Sequence, residues 1–232
     1  MYGGMYFDST YLLYMIPALL FTLIAQGMVK SRFAKYSAVM SRRGCTGAEA
    51  ARRILDANRL SGVQVTTVEG SLTDHYDPRA KVIRLSRDVY SNSSVASIGV
   101  AAHEAGHAIQ HQEGYFPLSI RNAVIPVCQL GSQLAMPLFL LGLLFSFTVL
   151  MKLGIVCFAA AVVFQIITLP VEFNASRRAL AILEREGILY DDELNGARKV
   201  LTAAAMTYVA AMAAALAQLL RLIALSQRRG RR

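Results

Sequence analysis

The run NAVIPVCQLGSQLAMPLFLLGLLFSFTVLMKLGIVCFAAAVVFQIITLPV, from Asn122 to Val171, contains one charged residue, Lys152. A helix needs about 20 apolar residues to cross a hydrocarbon core of ~30 Å. Lys152, in Met-Lys-Leu-Gly, divides the run into two stretches that are each long enough to cross. The sequence therefore predicts a transmembrane helical hairpin over 122–170 with its turn at Lys152.

Working outward, the stretch YLLYMIPALLFTLIAQGM, Tyr11 to Met28, lies in a charge-free segment between Asp8 and Lys30 and predicts a span over 9–29. A cleaved signal peptide has basic residues before its apolar part. Here Asp8 precedes it and Lys30, Arg32 and Lys35 follow, so the segment is expected to stay. A further uncharged run, Val200 to Leu220, contains nine alanines. Alanine contributes little to membrane insertion, so three spans are expected, with four as the alternative. Hydrophobic residues make up 55% of the chain and charged residues 17%. Charged residues are about 25% of a soluble domain, so this balance excludes an ordinary soluble protein.

The net charge of +9 concentrates in Lys30, Arg32, Lys35, Arg42 and Arg43 and in Arg228, Arg229, Arg231 and Arg232. These are juxtamembrane clusters, which set topology and meet anionic lipid; no stacking-aromatic motif accompanies them. The partner they point to is the lipid bilayer and not nucleic acid. With Lys30 to Arg43 inside, residues 30–121 are cytoplasmic, the Lys152 turn is outside and residues 171–232 begin inside. A fourth span would export the arginine tail, against the same rule. Cys45, Cys128 and Cys157 are scattered, with no CxxC pair, and predict neither a disulfide framework nor a thiolate metal site.

Between the first span and the hairpin, Thr46-Gly-Ala-Glu49 has the capping-box form and opens a short helix that stops near Asn58 and Gly62. Val63, Val65 and Val68 alternate with polar residues, and Val82, Ile83 and Leu85 follow Asp77-Pro78, which predicts two or three short strands before residue 86. Ser91-Asn-Ser-Ser94 offers N-caps for a helix over about 94–112 that Gly114 can end.

That helix carries His103-Glu104-Ala105-Gly106-His107, an H-E-x-x-H pattern. Residues four apart share a helical face about 5–6 Å apart, so both imidazoles can reach one Zn²⁺, with Glu104 beside them as general base. The bare pattern also occurs by chance on surface helices; the predicted helix and the small residues Ala105 and Gly106 favour the metal reading. A catalytic zinc needs a third protein ligand and an open position. Gln110 and Glu113 stand where a metzincin would have glycine and histidine, which excludes that arrangement. His111 lies ~12 Å from His103 by helix rise, too far to close a compact site, and reads as a surface histidine. Glu172, in Pro170-Val-Glu-Phe-Asn-Ala-Ser-Arg-Arg178, follows the hairpin, and two crossings return it to the side of His103. It reads as a third ligand or, alternatively, as an interfacial carboxylate at a helix end.

Taken together, Lys-Tyr-Ser after the first span, Thr46-Gly-Ala-Glu-Ala-Ala-Arg-Arg-Ile-Leu-Asp56, Asp74-His-Tyr-Asp-Pro78, Ala101-Ala-His-Glu-Ala-Gly-His-Ala-Ile-Gln110, Leu169-Pro-Val-Glu-Phe-Asn-Ala-Ser176 and Thr207-Tyr-Val-Ala210 resemble the YugP-like membrane zinc metallopeptidases of bacteria over nearly the whole chain. That family is in turn similar to the HtpX-like and CAAX prenyl endopeptidases, whose third zinc ligand is a glutamate. The resemblance implies Glu172 as that ligand. It also implies that the strand around Lys81 to Leu85 is an edge onto which an extended substrate could add, with His75 and Tyr76 near the site. Those enzymes have an aspartate, which helps orient a metal-binding histidine, where this chain has Ser176.

The expected fold is a mainly α membrane protein of three or four spans, with a small α+β zincin-like catalytic domain at the membrane surface. The last part, 171–232, holds the third-ligand segment, the alanine-rich helix and the basic tail. The expected activity is that of a zinc metalloendopeptidase, with one Zn²⁺ held by His103, His107 and Glu172 and water activated by Glu104. Its substrate would be a protein or peptide at the cytoplasmic face of a bacterial cell membrane. An oligomer or a partner membrane protein is compatible with the sequence. The competing reading is a catalytically idle zinc-binding scaffold or adaptor, against which the intact Glu104 argues.

Overall fold

The computed structural model describes residues 10–230. Asp8 and the tail residues Arg231 and Arg232 lie outside them, and of Arg229 and Gly230 only the backbone is described. A π-turn over Tyr11–Met15 leads into α1 (Ile16–Ser37). There follow α2 (Gly47–Ala57), β1 (Gln64–Val68), β2 (His75–Asp77), β3 (Val82–Ser86), α3 (Arg87–Ser91), α4 (Val95–Gln112), α5 (Phe116–Leu144), α6 (Thr148–Arg185) and α7 (Asp191–Gly230). The protein is a mainly α membrane protein with a small α+β unit. Among the described residues, four helices are long and apolar enough to cross a membrane: Tyr11–Ser37, α5, α6 and Asp191–Arg228.

The fourth of these is the alanine-rich run, so the candidate spans among the described residues number four, the alternative named above to the three expected. The sequence reading stops that run at Leu220 because Arg221 follows. The helix continues through Arg221 and gains Leu222, Ile223 and Leu225, which supply the hydrophobicity that alanine lacks. The hairpin turn also moves. It lies between Leu144 and Thr148, with Ser146 in the left-handed region at φ 58°, and Lys152 sits inside α6. A lysine near a helix end can extend its stem to the interface, so a single charge does not have to mark a turn.

The chain divides into two compact units. Among the described residues, one comprises 10–26, 120–169 and 207–230 and is built from apolar helix. Within it, α5 and α6 approach through small residues: a Cβ on Gly154 would lie 2.7 Å from both the Ala135 carbonyl oxygen and the Phe139 nitrogen. Phe139, Met151 and Leu222 form its buried cluster.

The other unit comprises residues 27–119 and 170–206. Its sheet has the order β1-β3-β2, with β1 parallel and β2 antiparallel to β3. The strand around Lys81 to Leu85 is therefore central and not an edge. Gln64 to Val68 pair along one side of it and His75 to Asp77 along the other. Ile83 and Leu85 are fully buried because helices cover their face of the sheet. They pack with Ile54 and Leu55 of α2, with Ile98, Ala101, Ala102 and Ala105 of α4, and with Leu183 of α6.

The local signals are realised. The Thr46 hydroxyl accepts from Glu49 N at 3.2 Å and Glu49 Oε2 accepts from Thr46 N at 2.9 Å, a complete capping box for α2. Ser94 Oγ accepts from Ser97 N at 3.1 Å and caps α4. Gly114, at φ 62°, ends α4 in a Schellman motif, with Tyr115 N donating to Gln110 O and Gly114 N to His111 O.

Candidate metal centre

Two helices of the second unit supply the candidate site. On α4, the four-residue spacing stacks His103 and His107 on one face, with ring centroids 4.7 Å apart. Glu172 lies on the part of α6 that begins at Pro170. The two helices come together at Gly106, where a Cβ would lie 2.7 Å from the Ala175 carbonyl oxygen. Only glycine permits that approach, and the approach carries the Glu172 carboxylate to the histidines.

Glu172 Oε2 is 3.3 Å from His103 Nε2 and 3.5 Å from His107 Nε2, and one donor atom from each of the three residues lies within 4.8 Å of the others. Two ligands bound tetrahedrally at the usual zinc distances lie about 3.3 Å apart, so these separations suit a zinc ion. The electrostatics suit it as well. The Glu172 side chain is only 3% exposed, and a carboxylate that deeply placed requires a positive charge beside it. Burial acts to lower the His107 pKa. The hydrogen bond and charge of Glu172, together with the charge of Glu104, outweigh burial and hold His107 above the ordinary histidine range.

Each histidine is oriented through its other nitrogen. His103 Nδ1 is 3.1 Å from Ser176 Oγ, so the serine that replaces the expected aspartate still reaches the ring. His107 Nδ1 is 3.0 Å from Gln110 Oε1. The Gln110 amide nitrogen donates to the Val171 carbonyl and to Asn174 Oδ1, both at 2.9 Å. Gln110 and Asn174 contribute here although the sequence assigns neither a role at the site. Helical spacing is the signal for Gln110, three residues after His107, whereas Asn174, two residues after Glu172, carries no such signal.

Glu104, 8% exposed, lies on α4 beside the histidines. His111 does not join the cluster. It is exposed, and its Nδ1 lies 3.0 Å from Tyr76 Oη on β2. His75 is exposed as well, with Nδ1 2.8 Å from the Thr73 carbonyl oxygen. The structure thus brings together His103, His107 and Glu172 and leaves His75, Tyr76 and His111 outside the donor set.

A family model described as "Putative neutral zinc metallopeptidase" matches residues 11–227. The chain is 53% identical over 208 residues to "Putative membrane protease YugP" of Bacillus subtilis (strain 168), covering 90% of this chain and 92% of that protein. No solved structure matches the chain.

Proposed function

The chain belongs to the family described as "Putative neutral zinc metallopeptidase", and from that premise we propose that it is a membrane-bound zinc endopeptidase with His103, His107 and Glu172 as the metal ligands and Glu104 as the general base. The observation that carries this reading is the convergence of two imidazole nitrogens and a buried carboxylate from α4 and α6 at separations that suit one ion.

His103 and His107 would hold the ion through Nε2 and Glu172 through Oε2, and a bound zinc supplies Lewis acidity toward water and a peptide carbonyl. Glu104 takes the proton of the attacking water and delivers it to the leaving amine, since one carboxylate can serve as base and then as acid. Ser176 and Gln110 keep the rings turned toward the ion. The substrates we propose are proteins or peptides at the cytoplasmic face of a bacterial cell membrane. The basic residues following the first span support that sidedness.

The test compares purified wild type with Glu104→Gln and Glu172→Ala for bound zinc and for cleavage of a denatured membrane-protein mixture in detergent. The expected result is that Glu104→Gln keeps zinc and loses cleavage while Glu172→Ala loses zinc. A wild type that binds zinc yet cleaves nothing the Glu104→Gln variant spares would instead support the scaffold reading.

A further inference from the structure

Proton positions around His107 can be traced from a group outside the donor set. Arg178 has only donors on its guanidinium. Its Nε donates to Asn174 Oδ1 at 2.7 Å, and its Nη1 pairs with Glu113 Oε2 at 2.6 Å. Asn174 is thereby held with its oxygen toward Gln110, and that oxygen accepts the Gln110 amide nitrogen. The second acceptor of the same nitrogen, the Val171 carbonyl, can only accept. Flipping the Gln110 amide would set oxygen against two oxygens, in a residue with no exposed surface. Gln110 Oε1 therefore faces His107 Nδ1 as an acceptor and Nδ1 carries a proton, which makes Nε2, on the side of Glu172, the nitrogen available to an ion.

We infer that Gln110 is a positioning residue that locks His107 in its Nδ1–H form, and that Arg178, braced by Glu113, fixes the direction of the lock. The inference rests on the metal reading above. The same side chain ties α4 to Val171 and Asn174, which flank Glu172 on α6, so one amide sets the tautomer of one ligand and the backbone position of another. An amide that only satisfied buried hydrogen bonds would affect stability and leave the tautomer alone.

The experiment uses the full chain in detergent, with histidine-selective ¹⁵N labelling, which four histidines make readable. Wild type, Gln110→Leu, Arg178→Met and Arg178→Lys are compared for zinc affinity by chelator competition and, metal-free at alkaline pH, for the His107 tautomer. The expected result is a loss of about 10–100-fold in zinc affinity for Gln110→Leu, with a mixed His107 tautomer. Arg178→Met should move both readouts in the same direction by less, and Arg178→Lys, which keeps a donor, should restore them. Should Gln110→Leu fail to fold, Arg178→Met carries the test alone, because its side chain reaches solvent. Folded variants whose zinc affinity stays within about twofold of wild type, or a wild type with the proton on His107 Nε2, would overturn the lock. A wild type that takes up no zinc overturns the metal reading, and the tautomer spectrum still decides the lock separately.

Discussion

Glu172 Oε2 lies 3.3 Å from His103 Nε2, although 69 positions separate the two residues in sequence. Between them the chain runs through α5 and most of the apolar part of α6, so the contact closes only if the hairpin returns α6 to α4. The donor set is thus a product of the whole fold and not of the five-residue motif.

Glu172→Gln keeps the shape of the side chain and removes its charge. The expected result is a fall in zinc affinity larger than the 10–100-fold typical of an outer partner, with helix content unchanged. Chelator competition together with circular dichroism checks it.

For Glu104→Gln, zinc affinity should stay near that of wild type while the cleavage rate falls by about 10²–10⁴-fold, the usual contribution of a general base. Single-turnover cleavage by the zinc-loaded variant measures the fall. A variant as active as wild type would remove Glu104 from the mechanism.

Gly106→Ala forces a methyl group against the Ala175 backbone. Backbone cannot rotate away as a side-chain tip can, so α4 and α6 must separate. A stability loss of ~1–3 kcal/mol is expected, accompanied by weaker zinc binding. Denaturant titration with and without zinc separates the two effects, because zinc should stabilise this variant less than wild type.

Asp77 offers a test by pH away from the donor set. The Arg84 side chain and the backbone N–H groups of Ala80 and Arg79 hold its carboxyl down to about 2. A carboxyl lower in the folded than in the unfolded chain stabilises fully above its unfolded value, and that contribution disappears as pH falls through the folded one. Hydrogen-exchange protection of β2 and β3 should therefore hold down to about pH 4 and decline toward pH 2. Asp77→Asn should start lower at neutral pH and lack that acid step.

Much of this was legible along the chain, for physical reasons that differ by residue. His103, Glu104 and His107 are local, and helix geometry alone puts them on one face. The caps at Thr46 and Ser94 and the stop at Gly114 are local too. Glu172 could be reached by counting crossings, since a hairpin returns the chain to the side it left. Lys152 misled because a charge in an apolar run resembles a turn, whereas the break comes where Ser146 takes a left-handed conformation. The central place of β3 depends on which strands pair, and alternation of Val and polar residues does not encode pairing. Gln110 and Asn174 meet across two helices, so their partnership appears only once the packing is known.

The close approach at Gly106 also bears on how the motif is read. In H-E-x-x-H, both middle letters are wildcards. In this chain they are unequal: Ala105 packs into the core, whereas Gly106 is dictated by the carbonyl of Ala175 on another helix. A glycine at the second wildcard thus carries information about a helix crossing, and a sequence search that kept this letter would select for the packing as well as for the chemistry.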